Sequence, residues 1–165
     1  ELLPDLLAEA ENKKLGVFFY GGTATMLDQT KLFVDANYPL LLNQHYYSPP
    51  FRPLTVAEEN EVVHKINSSD AHLVFVALGC PKQEKWMAAM KGRINACMIG
   101  IGGALPVMIG MQKRAPQWMQ NMSLEWLFRL AQEPKRLFKR YLITNTLFIL
   151  LFTKQRIKHF FNQSK

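Results

Sequence analysis

The segment Gly79-Cys80-Pro81-Lys82-Gln83-Glu84-Lys85-Trp86 gathers residue types suited to holding an anion and a polar ligand. It follows an apolar run and opens a helical pattern, and the free amides at a helix start attract anions. Lys82 adds a cation, Gln83 offers a donor and an acceptor to a sugar hydroxyl or carbonyl, and Glu84 offers a carboxylate. The same residues equally suit an ordinary exposed turn between a strand and a helix. Gly100-Ile101-Gly102-Gly103 and Gly21-Gly22 also follow apolar runs, where glycine lets a ligand approach the backbone closely. Neither makes a full dinucleotide fingerprint, and no acidic residue stands at the spacing that fingerprint needs. There is no Walker A lysine motif, no HExxH and no Asp-x-Asp pair. Glu84, Glu125 and Glu133 could each act as a general base or as an ion-pair partner, and composition selects none of them.

The elements that must position these turns alternate in pattern. Residues 15–20 (LGVFFY) form a short apolar run, and 24–36 read as a helix. Leu40–Leu42 suggest a second strand, and the three prolines of 46–54 (YYSPPFRPL) require a loop. Thr55 with Glu58 spells a capping box before a helix bearing Val62, Val63 and Ile66. Leu73–Leu78 is apolar throughout, as in a strand covered on both faces, and 82–91 follow as a helix. Ala96–Ile101 is the fourth strand-like run. Strand, turn and helix in this order predict a doubly wound, mostly parallel α/β sheet of Rossmann-like type. Its ligands bind at the carboxyl ends of the strands, the edge where the three glycine turns belong.

The chain has 165 residues and a net charge of +7, unevenly spread. Residues 1–112 hold nine Lys/Arg and eleven Asp/Glu, whereas 113–165 hold eleven Lys/Arg and only Glu125 and Glu133. We therefore expect a body over 1–112 and a basic helical tail over 113–165, with a polyanionic partner. Cys80 and Cys97 sit in apolar contexts and read as buried thiols of a reduced compartment. The four histidines show no metal-ligand spacing.

In the tail, Ser123 is a cap candidate for a helix over 123–130, and Pro134 a start for another. From Leu137 to Phe152 the apolar residues recur at three and four, after a basic start at Lys135, Arg136, Lys139 and Arg140. Fewer than the ~20 apolar residues of a membrane span are present. A basic amphipathic helix over 134–160 on a membrane surface and a helix docked on its own core or another subunit both fit the pattern.

GCPKQEKW, then GIGGA, then KRAPQWMQNMSLEWLFRLAQEPKRLFKRY closely resemble the WecG/TagA/CpsF family of bacterial glycosyltransferases, over about Leu15 to Phe152. The resemblance implies transfer of a sugar, typically of N-acetylmannosamine type, from a UDP-sugar donor to an undecaprenyl-diphosphate-linked acceptor in cell-envelope polysaccharide synthesis. It implies an inverting, metal-independent reaction without a cofactor, at the inner face of the cytoplasmic membrane. Substrate-binding candidates are Gly21, Gly22, Gly79, Lys82, Gln83, Gly102, Gly103, Arg114, Arg129, Arg136 and Arg140, with Gln83 and Glu84 as catalytic candidates. Members of the family are longer at the N-terminus, where their proposed aspartate base lies, so this chain alone is expected to be inactive. Pro106 stands where the family usually has an acidic residue. Trp118, Trp126 and Phe128 are expected to pack rather than to stack on sugar.

The expected partners are the donor, the lipid-linked acceptor and an anionic membrane surface, with a homo-oligomer left open and nucleic acid excluded. The rival readings are a non-catalytic nucleotide- or membrane-binding fragment and, further off, a basic nucleic-acid-binding module. The greasy Leu147–Phe152 run weakens the last, because phosphate contacts want solvated cations.

Overall fold

The computed structural model describes residues 2–163, with side chains described except at positions 136, 140, 141 and 157–163. It divides into two units, Glu1–Lys113 and Arg114–Lys165.

The first unit runs α1 (Leu2–Asn12), β1 (Gly16–Gly21), α2 (Ala24–Asn37), β2 (Gln44–Tyr47), α3 (Val56–Asn67), β3 (Ala71–Ala77), α4 (Lys82–Met90), β4 (Cys97–Gly100) and α5 (Ala104–Met108). Its four strands are all parallel, in the order β2-β1-β3-β4. Val17 pairs with Gln44 on one side and Leu73 on the other, and Leu73 pairs with Cys97. The chain adds β2 to one side of β1 and then crosses to place β3 and β4 on the other. The direction therefore switches between β1 and β3.

Alternation along the central strands splits the core into two layers, since successive side chains point to opposite faces. Val17, Phe19 and Phe75 pack with Leu3, Leu7 and Ala10 of α1, Leu27 and Val34 of α2 and Leu105 of α5. Phe18, Tyr20, Val74 and Val76 pack with Val62 and Ile66 of α3 and Met90 of α4. Full burial of each such side chain contributes roughly 1.5–3 kcal/mol, which is why β1 and β3 read as continuous apolar runs. This is the doubly wound α/β fold that the sequence predicts.

Three local expectations are corrected. Leu40–Leu42 is not a strand: Leu40 and Leu42 are exposed, and the second strand is Gln44–Tyr47, inside what reads as the start of the proline loop. It is an edge strand with one flank unpaired, and its two tyrosines pack on opposite faces of the sheet, Tyr46 on Phe19 and Tyr47 on Tyr20. The cysteines are both exposed, Cys80 in the turn after β3 and Cys97 at the start of the other edge strand. An edge leaves one flank of the strand without a neighbour, which apolar composition does not reveal.

The second unit holds α6 (Gln117–Asn121), α7 (Glu125–Gln132) and α8 (Pro134–Gln163). Ser123 does not cap α7. It sits at φ +59° and closes α6, with its N–H bonded to Gln120 O at 3.0 Å and that of Leu124 to Met119 O at 2.8 Å. That pair of bonds is a Schellman ending, in which the left-handed residue terminates the helix behind it. Leu137 is buried, while Leu147–Phe152 are each more than half exposed. Six apolar residues in succession occupy every side of a helix, so the apolar stripe widens there to the full circumference. Among the described residues no helix is long and apolar enough to cross a membrane.

Candidate functional site

At the switch point a cavity of about 430 Å³ opens above the carboxyl ends of β1 and β3. Tyr20 and Gly22 come from the end of β1, Ala77 and Leu78 from the end of β3, and Lys82, Lys85 and Trp86 from α4. The far wall is the loop Pro49–Leu54, and Glu59 of α3 completes the lining. Tyr20 and Trp86 stack at 4.2 Å between ring centroids, with Tyr47 stacked on Tyr20 at 6.1 Å. Burial, with lesser contributions from Tyr47 and Glu59, pushes the Tyr20 hydroxyl far above its ordinary pKa, so this phenol stays protonated. Trp86 Nε1 is buried without a hydrogen-bond partner. Lys82 and Lys85, three apart in the first turn of α4, are both exposed at the mouth.

The proline loop is held at both ends. Ser48 Oγ donates to Gly22 O at 2.6 Å, which ties the loop to the end of β1. Arg52 donates through both terminal nitrogens to Glu58, at 2.8 and 2.6 Å. Glu58 also receives the Thr55 N–H at 2.8 Å while Thr55 Oγ1 accepts from Glu58 N at 3.3 Å, a reciprocal capping box at the start of α3. Between these anchors Phe51 is 81% exposed.

The Arg52 guanidinium, helped by the Thr55 amide, lowers the Glu58 carboxyl from 4.5 to about 2. A carboxyl depressed on folding stabilises the fold above its ordinary pKa and loses that contribution as pH falls through the lowered value. The loop anchor is therefore expected to hold at pH 5 and above and to release as pH falls from about 4.5 toward 2. Amide exchange of residues 51–55 followed against pH checks this, and Glu58→Gln should reproduce the acid behaviour at neutral pH.

The predicted site residues divide between two places. Gly22 and Lys82 line the cavity. Gly21 lies beneath it, paired with Ala77 at φ +107°. Gln83 is the chief surprise, for it is 8% exposed rather than lying on the surface of its turn. Its Oε1 accepts from Gly102 N at 3.0 Å and its Nε2 donates to Glu84 Oε1 at 3.4 Å. Gln83 thus fastens the start of α4 to the turn after β4, and the exposed Glu84 lies beside that link. Gly79, at φ +76°, turns the chain into α4, where its carbonyl accepts from Gln83 N at 2.9 Å. Gly103 precedes α5 and is exposed.

Arg114 and Arg129 belong to the second unit and are exposed. The side chains of Arg136 and Arg140 lie outside the described residues. Trp118 and Trp126 are 59% and 49% exposed in the single chain, so they do not belong to a core, and Phe128 is half-buried. Tyr20 and the proline loop as a cavity wall were not identifiable as site parts from spacing. The signal was present only as three prolines beside two tyrosines.

A doubly wound sheet whose cavity opens at the switch point places this chain among the α/β proteins that take ligands at the carboxyl ends of their strands. Within that class, the chain belongs to the glycosyl transferase WecG/TagA/CpsF family, whose model matches residues 1–161. It is also 35% identical over 137 residues to an N-acetylglucosaminyldiphosphoundecaprenol N-acetyl-beta-D-mannosaminyltransferase of Bacillus spizizenii. That match covers 82% of this chain and 51% of the relative, so the chain spans about half the length of the curated relative it matches.

Proposed function

We propose that this chain forms the donor-binding part of a glycosyltransferase that moves an N-acetylmannosamine-type sugar from UDP to an undecaprenyl-diphosphate-linked acceptor. The observation that carries the reading is the switch-point cavity, aromatic at Tyr20 and Trp86 and cationic at Lys82 and Lys85. Aromatic rings and proline suit a nucleobase, and two lysines at the mouth suit a diphosphate. The acceptor hydroxyl attacks the anomeric carbon, its bond to carbon forms as the bond to the UDP oxygen breaks, and the configuration inverts. Lys82 and Lys85 take the charge that builds on the departing diphosphate, in place of a metal ion. The attacking hydroxyl gives up its proton to a general base as the new bond forms.

Hydrogen exchange with and without UDP tests the site. UDP is expected to protect residues 22, 49–54 and 78–86, and protection elsewhere only would move the site. Lys82→Ala and Lys85→Ala should each weaken UDP binding by roughly tenfold, as befits a charge-assisted hydrogen bond.

The proposal extends to the tail as the membrane contact at the inner face of the cytoplasmic membrane. The exposed apolar girth at Leu147–Phe152, flanked by Lys139 before it and by Lys154 and Arg156 after it, supports that reading. The chain is expected to pellet with anionic vesicles and not with neutral ones, and truncation after Tyr141 should abolish pelleting. Absence of pelleting in the untruncated chain would transfer the helix to a protein partner.

A further inference from the structure

The switch-point cavity holds a group that a diphosphate cannot use. Glu59 of α3 is the only acidic side chain in the lining among the described residues, where Arg52, Lys82 and Lys85 are its cations. A carboxylate repels a diphosphate, so Glu59 suits the neutral end of a nucleotide and the lysines at the mouth suit the charged end. The cation beside Glu59 is Arg93, whose Nη1 stands 3.5 Å away and which does not line the cavity. The Glu59 side chain is 35% exposed. An ion pair that long and that wet holds the carboxylate only weakly and leaves its lone pairs to another donor.

Tyr20 supplies the complementary group. It is 1% exposed yet lines the cavity, and its hydroxyl makes no hydrogen bond among the described residues. That hydroxyl keeps its proton, in part because the Glu59 charge reaches it, so it stands ready to donate. One cavity thus carries an acceptor at Glu59 and a donor at Tyr20. The stacked rings of Tyr20 and Trp86 offer a face to any base, so the bases can be told apart only at their edges. Uracil presents an N3–H donor between two carbonyl acceptors. Cytosine presents the reverse pair, a bare N3 beside an amino group.

We infer that Glu59 sets the base specificity of the donor site, its carboxylate accepting from the N3–H of uracil while the Tyr20 hydroxyl donates to the neighbouring C4 carbonyl. The inference rests on the donor reading proposed above and adds which edge of the base is read, and by which residues. Against cytosine the carboxylate meets a lone pair and gains nothing, while still losing water, so the site rejects that base as well as favouring uracil. A sealed site of this kind discriminates by roughly 10⁴ or more. Because Glu59 is partly wet, water offsets much of that penalty, and a ratio of about tenfold to a hundredfold is expected.

The test is calorimetric titration of the full chain with UDP, CDP, N3-methyl-UDP and 2′-deoxy-UDP. UDP is expected to bind at least about tenfold more tightly than CDP or N3-methyl-UDP, and within about threefold of 2′-deoxy-UDP. Glu59→Gln, whose amide can turn either a donor or an acceptor to the base, should bring UDP and CDP within about threefold of each other. Tyr20→Phe keeps the stacked ring and should weaken UDP by about fivefold with CDP unchanged. The analogue series on the unaltered chain needs no substitution, so it decides the matter even if a variant fails to fold. N3-methyl-UDP binding as tightly as UDP overturns the inference. A UDP-to-CDP ratio that Glu59→Gln leaves unchanged overturns it too, with UDP binding and the donor reading intact. A penalty for 2′-deoxy-UDP that Glu59→Gln removes would assign the carboxylate to the ribose and overturn the base contact. Absence of binding by all four nucleotides takes down both the inference and the donor reading.

Discussion

Gln83→Ala is expected to lower stability, by about 1–2 kcal/mol, because the side chain is buried and its loss leaves Gly102 N with only its longer bond to Val76 O at 3.3 Å. On a chain of this size that is a fall of roughly 5 °C in melting temperature. Exposed polar residues on turns cost far less, so a melt separates the two placements of this residue. The sharper measurement is a double-mutant cycle with Gly100. A Cβ on Gly100 would collide with Gln83 Nε2 and lie 2.8 Å from Cδ and 3.2 Å from Cγ, all atoms that alanine at 83 removes. Gly100→Ala should therefore expel Gln83 from Gly102 and cost stability by itself. In the Gln83→Ala background the same change should cost less than about 0.5 kcal/mol, giving a coupling of about 1 kcal/mol or more. Simple additivity would show that Gln83 does not fill the space above Gly100. Should Gln83→Ala also weaken UDP binding while Lys82→Ala leaves stability intact, the two residues separate into a positioning role and a binding role.

Gly21→Ala is expected to cost more still, about 3 kcal/mol or more. Its φ of +107° is hostile to any side chain, and the added Cβ would lie 2.8 Å from Ala77 C and 2.9 Å from Ala77 O. Those are main-chain atoms of the paired strand, so no rotamer relieves the clash. Gly79 supplies the control. Its φ is +76°, yet a methyl added there would meet nothing within 4 Å, so Gly79→Ala should cost only the left-handed strain of about 1–2 kcal/mol. Thermal melts of the two variants should differ by several degrees. Equal melts would mean that β1 and β3 are not held as closely at their carboxyl ends as the pairing of Gly21 with Ala77 requires.

Much of the fold was legible because the buried parallel strands leave an unmistakable trace. GVFFY and LVFVA are apolar on every residue since both of their faces are covered, and Thr55 with Glu58 announces α3 by its own reciprocal bonds. The edges were less legible. Gln44–Tyr47 shows no apolar run, because this short edge strand covers the core with two tyrosines and leaves Gln44 and His45 polar, and Leu40–Leu42 mimics one. Cys97 looks buried by its neighbours and is exposed by its place in the strand order. For the site, spacing singled out the turn at 79–83 but did not distinguish a polar residue that faces a ligand from one that spans two turns. Gln83 is the second kind, since its partner Gly102 lies nineteen positions away. Trp86 reads as a helix core position and is one, yet its ring also floors the cavity.

The double anchoring of the proline loop bears on how anything enters the cavity. Ser48 and Arg52 fix the loop before a ligand arrives, and Pro49 and Pro50 between them, with Pro53 just beyond, leave the chain few alternative conformations. Little loop-ordering entropy remains to be surrendered on association, so the cost of binding falls mainly on the freedom and the hydration of the ligand. Recognition then proceeds by rigid complementarity: the wall does not reshape around a larger or smaller ring, and discrimination is exercised at entry rather than by closure afterwards.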